Sequence, residues 1–126
     1  MKLLEKHQEY SVDEVIAFCF NSGRDKLGRH IRDHRPLRPF VYDGASGFPD
    51  TVGDINTDPA TLWHDIAYWS GLPEDRRARC VADHQLAIDA IELCGASAEL
   101  ASVLYHGPRV GGSEYLPTPW RWGFGR

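Results

Sequence analysis

Two helix-length segments separated by three residues constrain the fold of this chain more than any other feature of its sequence. The first segment begins at Asp58 and Pro59, a pair typical of helix starts, because Asp caps free backbone N–H groups and Pro fits the first helical position. Gly71 is a typical helix end. We therefore predict a helix from about Pro59 to Ser70.

The second segment carries an apolar stripe that includes one acidic residue. We predict a helix from about Glu74 to Cys94, antiparallel to the first, because Pro73 precedes it and Gly95 is a typical terminator. The apolar residues at three-and-four spacing are Ala82, Leu86, Ala87, Ala90, Leu93 and Cys94. Asp83 lies in this stripe, and a buried carboxylate is unfavourable unless it has a partner.

His64 and Tyr68 are the partners that we expect for Asp83. They are four residues apart and share one face of the first helix, while Asp65 is turned roughly 100° from His64. If Asp83 accepts a hydrogen bond from one ring nitrogen of His64, the other nitrogen is free to deprotonate a water molecule. The residues alone leave a second interpretation open, a buried polar cluster without chemistry.

A segment dense in glycine, aspartate and proline, residues 42–50, precedes the first of these helices. Loops of this composition leave backbone carbonyls free, and Ca²⁺ prefers carboxylate and main-chain oxygens as ligands. The loop and Asp65 together would supply such ligands. The alternative is an ordinary turn in which Asp43, Asp50 and Asp54 cap and solvate the chain.

The rest of the chain predicts an all-α domain with an irregular end. Ser11 and Glu14 form a capping box before a helix from about Val12 to Ser22. Two more helices are expected, from about Asp25 to His34 and from about Ala98 to His106, where Gly107 and Pro108 would end the last one. The remaining tail has alternating aromatic residues, Trp120, Trp122 and Phe124, which suit either a strap over the helices or a lipid interface.

Composition indicates one globular domain and argues against several classes of partner. The chain has 126 residues and a net charge of -4, so it is long enough for one core and gives no general reason to expect nucleic acid. No apolar run approaches the ~20 residues that span a bilayer, and the first residues lack the apolar stretch of a signal peptide. We therefore expect a cytoplasmic protein without a transmembrane segment, while its oligomeric state is open.

The three cysteines, Cys19, Cys80 and Cys94, have no CxxC spacing and cannot all pair with one another. Cys80 and Cys94 are on one predicted helix and too far apart to form a disulfide directly. Reduced thiols are therefore expected, which agrees with a reducing compartment.

Three motifs in the central part of the chain occur in an order that matches a known family. They are Asp43-Gly44-x-Ser46-x-x-Pro49-Asp50, then His64-Asp65-x-x-Tyr68, then Ala82-Asp83. Together they resemble the secreted bacterial and fungal type of phospholipase A2. The resemblance covers about residues 42–93; the helices at about 12–34 and the tail at 107–126 are additions to it.

The resemblance implies a calcium-dependent hydrolase that acts on phospholipid at a membrane surface. His64 would be the general base that activates water, Asp83 the acid that orients it, and Tyr68 a hydrogen-bond donor to Asp83. The implied calcium ligands are Asp43, the carbonyl of Gly44 and its neighbours, and Asp65. The resemblance also implies that calcium polarises the sn-2 ester carbonyl of a glycerophospholipid.

The chain departs from that family at two positions, and two other functions stay open. Cysteines that commonly form a disulfide in the family are replaced by Ala45 and Thr61. A catalytically silent phospholipase A2-like binding protein is one alternative. The other is an HD-type metal phosphohydrolase, in which His64 and Asp65 bind a divalent metal with His30 or His34 as the upstream ligand and with a downstream Asp.

Overall fold

The computed structural model describes residues 3–42, 51–52, 55–72 and 75–111 of the chain. In these residues the protein is mainly helical, which confirms the all-α expectation at a coarse level. The five helices are α1 (Val12–Asn21), α2 (Asp25–Asp33), α3 (Asp58–Ser70), α4 (Arg76–Cys94) and α5 (Ala98–Gly111). The loop predicted to bind calcium at Asp43 and Gly44 and the aromatic residues of the tail lie outside the described residues.

Two short antiparallel β-ladders accompany the helices, and the sequence did not predict them. Strand β1 (Glu9–Tyr10) pairs with β2 (Phe40–Val41), and β3 (Thr51–Val52) pairs with β4 (Ile55–Asn56). Each strand has two residues, too few for an alternating pattern to be recognised. The chain divides into two compact units, Met1–Asp43 and Gly44–Arg126.

In the first unit, α1 packs against α2 through a small apolar core. The predicted capping box is present. The Ser11 hydroxyl accepts from the Glu14 backbone N–H at 3.1 Å, and the Glu14 carboxylate accepts from the Ser11 backbone N–H at 3.1 Å. Val15 and Cys19 of α1 are fully buried, as is Ile31 of α2. At Gly28 the two helices approach so closely that a Cβ atom would lie 2.9 Å from Cε2 of Phe20.

In the second unit, α3 and α4 form the antiparallel pair that the sequence predicted. Ala60, at the start of α3, packs with Ala90 near the end of α4, while His64 contacts Asp83 nearer the middle of both helices. Helix α5 adds Leu104 to the same core. None of the helices in the described residues is both long and apolar enough to cross a bilayer.

Local capping explains where α3 and α4 begin and where α4 ends. Helix α3 begins at Asp58, so the prediction that Asp58 is the N-cap is wrong: the N-cap is Thr57, which makes no side-chain cap hydrogen bond, and the Asn56 side chain before it accepts the Asp58 backbone N–H at 2.9 Å. Helix α4 starts at Arg76 because Asp75 accepts from the Ala78 backbone N–H at 3.0 Å. Gly95 ends α4 in the left-handed conformation, with φ +73°, as predicted.

Helix α5 extends further than the sequence suggested. Ser97 caps its start, since its hydroxyl accepts the Leu100 backbone N–H at 3.2 Å. The prediction that Gly107 and Pro108 end the helix after His106 is wrong, because helical backbone continues to Gly111. Pro108 has no backbone N–H to donate to the Leu104 carbonyl, yet α5 includes it.

Candidate functional site

The site is built on the face of α3 that meets α4. Helix α3 buries Leu62, Trp63, Ile66 and Trp69, and this apolar surface fixes the helix in the second unit. His64 and Tyr68 lie four residues apart on α3, beside these buried residues, and both are partly buried. Their rings lie against each other, with centroids 4.2 Å apart and planes inclined by 40°.

Asp83 of α4 accepts hydrogen bonds from both of these α3 side chains. Its Oδ1 lies 2.8 Å from Nε2 of His64 and accepts the hydroxyl of Tyr68 at 2.6 Å. The pairing that the helix faces predicted is therefore present. Asp83 is completely buried, which is tolerable for an acid because these two donors replace water around its oxygen.

The geometry distinguishes the two nitrogens of His64. With Asp83 as a carboxylate, which can only accept, Nε2 of His64 must be the donor of this hydrogen bond. In the neutral ring, Nδ1 then carries the lone pair and is the nitrogen able to accept a proton. The His64 side chain is 10% exposed, so the ring is held by protein while part of it still reaches the surface. These are the requirements for an oriented general base.

The residues assigned to calcium are only partly described by the structure. Asp65 follows His64 on α3 and is half-buried, on a different side of the helix from the Asp83 contact. Asp43 and Gly44 lie outside the described residues. Within the described residues, no three or more His, Cys, Asp or Glu side chains are grouped to hold a metal ion.

A second buried acid on α4 was missed by the sequence interpretation. Asp89 is 2% exposed, and its Oδ1 accepts from Nε2 of Gln85 at 2.9 Å. The signal was available, because Asp89 is three residues after Leu86 and therefore on the core face. Its side-chain donor Gln85 is an amide, which cannot take up and return a proton as the imidazole beside Asp83 can.

The two histidines considered as metal ligands of an HD-type enzyme lie in the first unit. His30 is on α2 and His34 is its C-terminal cap, and their rings are 5.0 Å apart and inclined by 40°. His30 is half-buried and His34 is exposed. The two rings are neighbours, as their four-residue spacing indicates. In the described residues, the structure groups no third His, Cys, Asp or Glu with them.

All three cysteines are free thiols, as expected. Burial raises the pKa of the Cys19 thiol to about 12, although the nearby positive charge of Arg24 opposes the shift. Burial also raises the pKa of Cys94, and the negative charges of Asp89 and Asp58 act in the same direction, against a hydrogen bond from the Ala60 backbone. Neither thiol is suited to act as a thiolate at neutral pH.

Comparison with known proteins identifies no relative. No protein-family model, curated protein or solved structure matches the chain. The interpretation of the site therefore depends on its motifs, on the contacts of His64, Tyr68 and Asp83, and on the chemistry that these contacts allow.

Proposed function

We propose that the chain is a calcium-dependent phospholipase A2-like hydrolase that cleaves the sn-2 ester of glycerophospholipids. The observation that carries the proposal is the 2.8 Å contact between Nε2 of His64 and Oδ1 of the buried Asp83. It supports a general base whose ring orientation is fixed by a neighbouring acid. The order of the motifs around these residues, which resembles that family, supports the choice of substrate class.

In the proposed reaction, Nδ1 of His64 removes a proton from water as the water oxygen attacks the ester carbonyl carbon. The imidazolium that forms is stabilised by Asp83, which stays hydrogen-bonded to Nε2 throughout. When the tetrahedral intermediate collapses, the bond to the alcohol oxygen breaks and His64 returns its proton to that oxygen. The products are a fatty acid and a lysophospholipid, and no covalent bond to the protein is formed.

Tyr68 has a supporting role in this reaction. Its hydroxyl donates to the same carboxylate oxygen that accepts from His64, so it restricts rotation of the Asp83 side chain. Because Tyr68 lies one helical turn after His64, the ring contact between them also limits movement of the imidazole. Tyr68 is therefore a positioning residue rather than a proton donor or acceptor.

Of the proposed calcium ligands, Asp65 is the one that lies in the described residues. Asp65 offers a carboxylate from the residue next to the base, and it is half-buried rather than enclosed in the core. In the proposal Asp43 and the carbonyl of Gly44 complete the oxygen ligands from the loop before α3. When bound, calcium would polarise the ester carbonyl as a Lewis acid.

The absence of the disulfide that the family commonly has is compatible with the proposal. Thr61, at one of the two positions, is buried, and its hydroxyl donates to the Thr57 carbonyl at 3.2 Å. The start of α3 is thus held by local hydrogen bonds, and the Asn56 side chain adds another at Asp58. We propose a reducing, cytoplasmic location as part of the same hypothesis.

The experiment that tests the function is release of fatty acid from vesicles of sn-2-labelled phospholipid. The native chain is assayed with Ca²⁺ and with a chelator, beside His64→Ala and the matched control His34→Ala, which removes an exposed imidazole from the first unit. Release that requires both Ca²⁺ and His64, and that His34→Ala retains, supports the proposal.

Three results would overturn it. If the native chain releases no fatty acid in either condition, the hydrolase proposal falls, and calcium binding without turnover would then indicate a silent binding protein. Release that survives His64→Ala would show that His64 is not the base. Release that the chelator does not affect would remove calcium from the mechanism.

A further inference from the structure

One face of α4 is apolar although it lies opposite the core. Leu86 packs in the core of the second unit, so the residues on the other side of this helix are expected to be polar. Three aliphatic residues there are exposed instead, Val81 at 60%, Ile88 at 45% and Ile91 at 47%. They and His84, which is also exposed, are each turned about 140° to 160° from Leu86 around the helix. We call Val81, His84, Ile88 and Ile91 the α4 stripe.

The spacing of the α4 stripe is the same in both chain directions. Its members are three, four and three residues apart, which is the spacing of the residues that join two helices in a coiled coil. When a second α4 lies antiparallel to the first, Val81 of each copy comes opposite Ile91 of the other, and His84 comes opposite Ile88. Two-fold symmetry repeats both contacts. A second copy of this chain therefore matches the stripe along its whole length.

The charges at the two ends of the stripe favour the same antiparallel arrangement. Arg77, one turn before Val81, and Glu92, next to Ile91, are both exposed. In the antiparallel pair, Arg77 of each copy comes opposite Gly95 of the other, about 4.5 Å along the helix axis from Glu92. An arginine side chain spans that distance, so each end gains a pair of opposite charges. A parallel pair would place Arg77 against Arg77, and like charges oppose association.

We propose that the α4 stripe is the interface of a two-fold symmetric homodimer, in which the α4 helices of two copies pack antiparallel. The apolar residues of the stripe supply the attraction, and Arg77 and Glu92 set the direction. The interface uses none of His64, Tyr68 and Asp83. It therefore goes beyond the proposed hydrolase and does not depend on it.

Helix α4 is already ordered before it associates. Its inner face is fixed in the core of the second unit, so association does not have to supply the entropy of forming the helix. The His84 ring is also held, because it lies against the Tyr105 ring of α5 with centroids 4.5 Å apart. From Arg77 to Glu92 the contact is only about 23 Å long, which is small beside the about 800 Å² that each partner buries in a standard interface. We therefore expect a dimer that dissociates in the micromolar range.

Sedimentation equilibrium of the full chain tests the proposal at concentrations from about 1 µM to about 500 µM. We expect the average mass to rise from that of one chain to that of two and no further. Ile88→Lys should raise the dissociation constant at least about 100-fold, because symmetry places two lysines in the interface. Leu93→Lys is the matched control. Leu93 is 48% exposed on the same helix, but it is seven residues after Leu86 and therefore on the other side, so its variant should stay within about threefold of the native constant.

An exchange of charges tests the orientation of the two helices. Arg77→Glu places two glutamates at each end of the pair, and Glu92→Arg places two arginines there, so each variant alone should dimerise at least about tenfold more weakly. An equimolar mixture of the two variants should recover the dimer, because glutamate of one copy then faces arginine of the other at both ends. Arg29→Glu makes the same change of charge at an exposed position of α2 and should dimerise as the native chain does.

The proposal falls on any of three results. The first is a native chain that stays monomeric over the whole concentration range, in which case the stripe has another occupant, such as residues 112–126 of the chain or a lipid surface. The second is an Ile88→Lys variant that dimerises as well as Leu93→Lys. The third is a mixture of the two charge variants that associates no better than each alone. Circular dichroism checks that the variants are folded. Association is measured without lipid or calcium, so the dimer and the proposed hydrolase can fail separately.

Discussion

Nε2 of His64 and Oδ1 of Asp83 lie 2.8 Å apart across the pair formed by α3 and α4. The acid has no exposed surface, and its oxygen also accepts from Tyr68 of the same helix as His64. The imidazole is therefore oriented from the neighbouring helix, and its orientation depends on how closely the two helices pack. A catalytic base and a structural polar cluster would share this geometry, so the two must be separated by measurements on matched variants.

Tyr68→Phe should weaken both the fold and the proposed activity. The variant removes the 2.6 Å hydrogen bond to a buried carboxylate, so the free energy of unfolding should fall by about 1–2 kcal/mol. The rate of sn-2 hydrolysis should fall by about tenfold, because Asp83 holds His64 less rigidly. Urea unfolding and the vesicle assay measure the two effects.

Tyr10→Phe is the control for that substitution. The Tyr10 hydroxyl accepts from the exposed backbone N–H of Glu5 at 2.8 Å, in the first unit. Its loss should change the free energy of unfolding by less than about 1 kcal/mol and should not change the rate. If Tyr10→Phe and Tyr68→Phe lowered the free energy of unfolding and the rate equally, the Tyr68 hydroxyl would not be positioning Asp83 and His64.

Gly95→Ala should destabilise the junction between α4 and α5. Gly95 has φ +73°, where a residue with a Cβ atom is strained, although no atom would clash with that Cβ. We expect the free energy of unfolding to fall by about 1–2 kcal/mol, and Gly95→Asn to be milder because asparagine tolerates this conformation. Thermal unfolding in which Ala is no worse than Asn would contradict this explanation of the helix end.

The buried Cys19 thiol should make stability depend on pH in the alkaline range. Its pKa is raised from 9.0 to about 12 in the folded chain by burial, so above about pH 9 the unfolded chain loses this proton while the folded chain keeps it. The contribution of Cys19 to stability is therefore complete below pH 9 and is lost as the pH rises from about 9 towards 12.

Cys19→Ala is the comparison that isolates this effect from other groups that titrate at alkaline pH. The variant should be less stable than the native chain at pH 7, since a buried side chain is truncated, but its stability should fall less steeply between pH 9 and 11. Urea unfolding at each pH measures the difference. Parallel curves for the two chains would contradict the raised pKa.

The sequence predicted most of the helices and the central contact because both depend on local rules. Ser11 and Ser97 cap helices through side chains only three residues from their partners, so these signals do not depend on the fold, whereas α4 begins at Arg76 after the cap Asp75 and not at about Glu74 as predicted. The pairing of Asp83 with His64 followed from helical periodicity, since a carboxylate on an apolar face requires a donor.

The features that were missed depend on interactions between distant parts of the sequence. Strand β1 pairs Tyr10 with Phe40, thirty residues later, and two-residue strands carry no pattern of their own. Leu93 was expected in the core but is 48% exposed, whereas its neighbour Cys94 packs against the core cluster. Asp89 and its donor Gln85 are an exception, because both its core-face position and the four-residue spacing to Gln85 are local signals that could have been used.

The most direct test of the account compares Asp83→Asn with Asp89→Asn. Both acids are buried on α4, and both variants keep the shape of the side chain while removing its charge. The measurement is the rate of sn-2 hydrolysis per folded molecule, with saturating Ca²⁺. We predict that Asp83→Asn lowers the rate by at least about 100-fold, and that Asp89→Asn stays within a few-fold of the native rate although it destabilises the fold. Equal rates in the two variants would contradict a catalytic pairing of Asp83 with His64.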